Sequence, residues 1–310
     1  MARILITGTL AIDYVATYVN DFDELPSHRG LNFSIHLDRL HRHFGGCAMN
    51  LAYSLKCLGH DPIPFVFTGR DLDDDYQTHL SRMAIDQDGI VRVETAPHSS
   101  HAFIFTDIKG NQFTGFYPGP TRTPEFEMHL RRVIHEKHGI DYAIIAPDIP
   151  ANMIAAAGIL KGRGTSFLTD PGQGITDFSA TDCQTLVELS NRIIMNQFEY
   201  DTLRTYTDVD NIMELVITEG SQGARWMCGD SEGTESAVVP IRPLDPTGCG
   251  DAFRAGYVHA QLLGASYRDA VRCGAVVASI NIESFGTQEH HLDNLVERYT
   301  TAWNERPSWL

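Results

Sequence analysis

The chain has 310 residues, with 24 Lys and Arg against 40 Asp and Glu, a formal charge of −16. At 43% hydrophobic and 21% charged residues it has the composition of a folded globular protein, which excludes disordered and fibrous classes. So acidic a surface repels phosphate backbones and anionic lipids, which excludes nucleic acid and membrane as main partners and leaves room for a local pocket that takes one small anion.

The length permits two domains or one large α/β domain. No run of 18 apolar residues offers a membrane span. The opening MARILITGTLAIDY reads as a strand leading into a turn and lacks the pattern of a signal peptide. Six cysteines, at 47, 57, 183, 228, 249 and 273, form no C-x-x-C pair. Reduced thiols and a cytoplasmic location are expected.

In chain order, apolar runs predict strands at 3–7, 63–68, 141–146, 166–169, 192–195 and 214–218. Helical patterns fall between them at 49–58, 74–83, 125–138, 152–161 and 180–189, and the last third carries helices at 250–263, 267–282 and 292–303. Such alternation predicts a doubly wound α/β fold, a mostly parallel sheet with helices on both faces. Residues 14–44 and 91–117 break the alternation with short β-like runs at 91–94, 102–107 and 112–117, and Lys109-Gly110-Asn111 fits a hairpin turn. These two excursions are expected to pair as a small β-sheet, used as a lid over a site or as a dimer surface. One unit over 1–310, carrying a lid built from about 14–44 and 91–117, is the organisation expected.

Several common motifs are absent. None of the four lysines stands in G-K-[ST], so there is no Walker A loop. Gly248-Cys249-Gly250-Asp251-Ala252-Phe253 lacks the third glycine of a dinucleotide fingerprint. His135-Glu136-Lys137-His138 is one residue short of H-E-x-x-H, so its histidines do not share a helix face as zinc ligands do.

One segment does carry chemistry. In Asp245-Pro246-Thr247-Gly248-Cys249-Gly250-Asp251 two glycines flank a small residue at the start of a long helix. Backbone N–H groups and the positive helix end suit an anion there, such as a phosphoryl group in transfer. Asp251 has two readings: a charge that stabilises the helix start, or a general base that takes a proton from an attacking hydroxyl.

D-P-T-G-C-G-D-A-F-R-A-G resembles the C-terminal signature of the ribokinase-like (PfkB) carbohydrate and nucleoside kinases. Gly45-Gly46-Cys47-Ala48-Met49-Asn50 resembles their N-terminal signature, Asn196-Gln197-Phe198-Glu199 their N-x-x-E, and Thr218-Glu219-Gly220-Ser221-Gln222-Gly223 their nucleotide turn. All four stand in family order. The resemblance implies an ATP-dependent kinase with a ribokinase-like fold, in which Asp251 is the catalytic base and Gly248, Cys249 and Gly250 form the anion hole.

The resemblance also implies the remaining roles. Asn196 and Glu199 organise Mg²⁺ near the phosphates, Glu199 through water; read alone, Glu199 is a surface helix cap and Asn196 a turn residue. Thr218, Gly220 and Gly223 receive the nucleotide, and Asn281 borders its adenine. Asp245 and Thr247 are candidates for a monovalent cation, K⁺ in particular. Asp13 accepts two sugar hydroxyls, with Gly46 and Asn50 completing the sugar site.

Several strings, among them Phe116-Tyr117-Pro118-Gly119 and Glu283-Ser284-Phe285-Gly286-Thr287-Gln288-Glu289, resemble the bacterial adenosine-kinase branch. That likeness implies phosphorylation of the 5′-hydroxyl of adenosine. Phe103 and Phe116 would sandwich the purine, with Thr9, Ser34 and Gln173 lining its site. Gly174 stands where that branch has a second glutamine, which leaves the base preference open. The alternatives are the same chemistry on ribose or fructose, and a silent nucleoside-binding protein. A homodimer formed through the lid is also expected.

Overall fold

The computed structural model describes residues 1–25, 34–109, 111–121, 124–210 and 212–310, with no side chain described at 173. β1 (Arg3–Thr7) leads to β2 (Ala11–Tyr18), β3 (Leu37–Gly45), α1 (Cys47–Cys57), β4 (Asp61–Thr68), α2 (Asp74–Arg82) and β5 (Ile90–Arg92). A hairpin of β6 (Ser100–Thr106) and β7 (Gln112–Tyr117) follows. Then α3 (Phe126–Glu136), β8 (Tyr142–Ile145), α4 (Pro150–Arg163), β9 (Phe167–Thr169), α5 (Ala180–Leu189), β10 (Arg192–Asn196), α6 (Gln197–Arg204) and β11 (Glu214–Thr218) alternate. An antiparallel hairpin, β12 (Ala224–Cys228) and β13 (Ser231–Glu235), precedes α7 (Cys249–Leu262), α8 (Tyr267–Asn281) and α9 (Leu295–Trp303).

Nine of the described strands form one sheet in the order β13-β12-β11-β10-β9-β8-β1-β4-β5. It is parallel from β5 to β11. From β1 the chain builds outward in both directions, so a crevice opens beyond the carboxyl ends of the strands where the order reverses. Period-2 alternation explains the two cores. Ile4 and Ile6 of β1 pack with α1, α7 and α8, while Leu5 between them packs with α3 and α4 on the other face. No described helix is long and apolar enough to cross a membrane.

The second sheet has four strands in the order β3-β2-β6-β7. It starts earlier than expected, at Ala11, because β2 follows β1 after only three residues. The 91–94 run is not part of it: β5 pairs in parallel with β4 of the large sheet, Val66 opposite Ile90. Asp107 closes the β6–β7 hairpin, accepting from Lys109 N at 2.9 Å and Asn111 N at 2.8 Å; Gly110 of the expected turn lies outside the described residues. β12, β13 and α6 were not legible beforehand. β13 reads Ser-Glu-Gly-Thr-Glu and has no apolar alternation, so ladder pairing with β12 alone makes it a strand.

Candidate active site

The parallel strands deliver their carboxyl ends to one rim. β1 leads to Thr9, β9 to Asp170, β10 to Asn196, and β11 ends at Thr218. α7 meets this rim through its sixth residue: Arg254, buried in the helix, pairs with Asp170.

No side chain caps α7. Its N-cap is Gly248, at φ +76°, and a β-carbon there would approach Thr287 Cγ2 to 2.8 Å. A bare, positively polarised helix start is therefore presented at the rim. Asp251 stands in that first turn, half-buried, and accepts a hydrogen bond from Asn50 Nδ2 at 2.8 Å. Asn50 lies one turn into α1, whose N-cap is Gly46 at φ +93°. A β-carbon at Gly46 would collide with Thr9 O and Ala11 N, and one at Gly45 would overlap the Asp13 carboxylate. The paired glycines thus let β3 and α1 close around Asp13.

Asp13 is 5% exposed, and among the described residues its carboxylate accepts no hydrogen bond. Burial, followed by the charges of Asp251 and Asp245, pushes its pKa up to about 7. Asp251 is pushed up to about 6, chiefly by burial and against the lowering effect of the Asn50 hydrogen bond and Arg254. Two facing carboxylates, one a free double acceptor and one held by an amide, are equipped respectively to hold hydroxyls and to take a proton.

Arg254 organises the other side. Its Nη1 donates to Gly250 O at 3.0 Å and its Nη2 to Asp170 Oδ1 at 2.9 Å, while Nε forms an ion pair with Asp170 outside hydrogen-bonding geometry. Asn196 and Glu199 form a capping box on α6: Glu199 accepts from Asn196 N at 2.7 Å and from Asn196 Nδ2 at 2.8 Å, and Glu199 N donates to Asn196 Oδ1 at 2.9 Å. The cap reading is therefore correct, but Glu199 is buried rather than on the surface, 3.8 Å from Arg254 Nη2. Burial, then Asp170, pushes its pKa up to about 7. A nearby hydrated cation would relieve that cost. No cluster of three His, Cys, Asp or Glu exists among the described residues to cage a metal. The sparse hard-oxygen donor set fits Mg²⁺, which keeps waters and takes phosphate oxygens.

Asp245 is buried, and its two oxygens accept from Thr247 N at 3.0 Å and Gly286 N at 3.1 Å. Thr247 Oγ1 is buried without a partner. Asn281, at the end of α8, reaches the start of α7. Its Nδ2 donates to Thr247 O at 2.9 Å, pinning the anion turn from beneath. A groove of about 660 Å³ is lined by Asn196, Gln197, Phe198, Thr218, Glu219, Gly220 and Gln222. Gly223, at φ +108°, closes the turn behind it.

The two aromatic candidates separate. Directly opposed residues of a ladder share a face. Asp13 opposes Ala102, which opposes Phe116, so Phe116 stands on the Asp13 face, 52% exposed. Phe103 opposes Tyr14 and stacks on it at 5.5 Å, on the reverse face. The expected sandwich of one purine between Phe103 and Phe116 within a single chain is therefore ruled out by strand parity. Thr9 is buried beside Gly46, Ser34 is exposed, and the Gln173 side chain lies outside the described residues.

Arg254, Asp170 and Thr287 were not singled out from sequence. A charged residue three positions after Asp251, among the small and apolar residues of 252–258, was the available signal for Arg254.

A model of the pfkB family carbohydrate kinases matches residues 1–294, and the chain belongs to that family. It is 27% identical over 308 residues to a nucleoside kinase of Methanocaldococcus jannaschii, covering 96% of this chain and 97% of that one. The structure of Burkholderia thailandensis nucleoside kinase in complex with inosine matches at a TM-score of 0.88 and 29% identity, over 98% of this chain and 99% of that one. The same kinase in ligand-free form matches at 0.78, with 29% identity over 96% and 99%. The fold is ribokinase-like, and the protein is an ATP-dependent phosphotransferase that acts on an alcohol group.

Proposed function

We propose that the chain is a purine nucleoside kinase, moving the γ-phosphoryl group of ATP to a 5′-hydroxyl, with adenosine and inosine as acceptors. The observation that carries this reading is the pairing of Asp251, at the uncapped start of α7, with the unpartnered Asp13 across the crevice. Asp13 holds ribose hydroxyls, which presents the 5′-oxygen to Asp251. Asp251 takes the hydroxyl proton as the oxygen–phosphorus bond forms and the bond to the ADP leaving oxygen breaks. The N–H groups of the 248–251 turn stabilise charge on the transferring group. Mg²⁺ beside Glu199 would neutralise phosphate charge. Thr247 Oγ1 is the orphan group that supports a monovalent cation near Asp245.

The small sheet acts as a lid, and Phe116 on its inner face stacks on the base. Support comes from the greater likeness to the inosine-bound than to the ligand-free form of the Burkholderia kinase. On its outer face Tyr14, Phe103 and Phe113 stand together, the latter two exposed; a second copy of the chain covers them in a homodimer, which sedimentation would detect. The unpaired cysteines suit a reducing, cytoplasmic setting. An acceptor panel of adenosine, inosine, ribose and fructose with ATP tests the assignment. Higher kcat/KM on a sugar would replace it with the sugar-kinase reading.

A further inference from the structure

Asn50 carries an amide whose two ends differ chemically, and only one orientation donates to Asp251. Nothing in a lone amide decides between them. Here the decision traces back to a group that cannot turn. Gly45 O is a backbone carbonyl and only accepts, so the Tyr76 hydroxyl at 2.8 Å donates to it. The Tyr76 oxygen is then left as an acceptor, and Gln288 Nε2, 3.1 Å away, donates to it. The other Nε2 hydrogen points at Asn50, 3.1 Å away, which must present Oδ1. Asn50 Nδ2 is thereby turned to Asp251. The remaining end of Gln288, Oε1, faces His79 Nε2 at 3.0 Å, so His79 donates from Nε2. Gln288 and Tyr76 are both buried, at 2% and 0% exposure.

We propose that Gln288 is a positioning residue for the catalytic base: with Tyr76 it forms a one-way hydrogen-bond relay from Gly45 O that locks the Asn50 amide with its donor toward Asp251.

Thr287 does not settle the orientation by itself. Its single hydroxyl proton lies between two acceptors, Phe44 O at 2.9 Å and Asn50 Oδ1 at 2.7 Å. The consequence of the lock lies in the protonation of Asp251. A proton on Oδ2, the carboxyl oxygen that faces Asn50, needs an acceptor there, which Asn50 supplies only by flipping. The relay forbids the flip, so it disfavours protonation at Oδ2 and keeps that oxygen available as a base. The other groups around Asp251 set a background that the relay does not alter. Asp13 on β2, Asp170 after β9 and Glu199 on α6 raise or feel its charge, and Arg254 on α7 lowers its pKa. Cys47 at the start of α1 donates to it, and Cys249 on α7 stands beside it.

The test measures Asp251 directly. Carboxyl ¹³C resonances of the ligand-free protein are followed against pH, with Asp251→Asn assigning the signal. Gln288→Met keeps the side-chain length and removes both donors; it is expected to raise the Asp251 midpoint by about one unit. Tyr76→Phe leaves Gln288 in place but frees its amide to turn, and is expected to shift the midpoint the same way by roughly half as much. It keeps the test open if the first variant does not fold. The acid limb of the kcat/KM profile with inosine and ATP is expected to move with the midpoint. The rate at pH 6 then falls about five- to tenfold while the rate above pH 8 changes less than about twofold. An unmoved midpoint in the folded variants, or a rate loss equal at every pH, overturns the relay. The inference of a catalytic consequence rests on the kinase reading. The resonance titration does not need substrate, so a shifted midpoint without turnover on any nucleoside would sink that reading and leave the lock standing.

Discussion

The two sides of the crevice are built in opposite ways. The α7 side is a dense polar lattice: Arg254 joins Gly250 to Asp170, Asn50 holds Asp251, and Asn281 and Asp245 pin the turn between them. The small sheet is the reverse. Among the described residues its own core is three side chains, Val15, Ala102 and Ile104, while Phe103, Phe113, Phe116 and Tyr117 stand exposed. The rigid side is suited to charge and proton transfer, where placement matters most. The lightly packed side is suited to opening, closing and choosing the acceptor.

If that division is right, mutations on the two sides must fail differently. The largest effect is expected from Asp251→Asn. Loss of the base costs about 10²–10⁴ in kcat and leaves nucleoside affinity nearly unchanged, as turnover and calorimetric binding would show. Retained turnover would remove Asp251 from the base role. Next is Arg254→Met, which strands the buried Asp170 carboxylate. Stability is expected to drop by roughly 3–5 kcal/mol in denaturant titration. A drop under about 1 kcal/mol would mean that the pair does not hold the turn.

On the lid side, Phe116→Ala is expected to raise KM for inosine about tenfold with kcat nearly intact, the scale of one lost stacking contact. Phe103→Ala is expected to leave that KM within about twofold in the monomer, since it stands on the far face. Equal effects would contradict the parity argument. The smallest effect is on pH. Asp251 must be ionised to accept a proton, so kcat/KM should rise from pH 5, reach half-maximum between about 6 and 7 where Asp251 and Asp13 titrate as a coupled pair, and level off above. The same elevation has a stability sign. A carboxyl whose folded pKa is raised favours folding when protonated, so its contribution is full below pH 4 and is lost through pH 7. Asp13→Asn is therefore expected to raise the melting temperature at pH 8 and to make little difference at pH 4.

Legibility followed the same division. The backbone geometry around α7 could be read because it makes steric demands: Gly248 must take a positive φ and Gly45 must leave room for Asp13, and such demands leave glycines at fixed spacings. Arg254 and Gln288 escaped because their partners, Asp170 and Asn50, are distant in sequence, and no local pattern records such a pairing. On the lid, whether Phe103 shares a face with Phe116 depends on the β2–β6–β7 register, and a shift of one residue reverses the answer. Composition alone shows only that both are aromatic.

The strong negative charge looks at first like an obstacle for an enzyme that binds polyphosphate. The proposed site around α7 removes that obstacle: there the anion would meet backbone N–H groups and an uncapped helix start, so lysines are not needed.

The most direct measurement of the central claim is ATP-dependent phosphorylation of adenosine, inosine, ribose and fructose at pH 8, compared as kcat/KM. The account predicts that a purine nucleoside exceeds either free sugar by about 100-fold or more, the gain of base stacking added to shared ribose contacts. A free sugar matching or exceeding both nucleosides would contradict it.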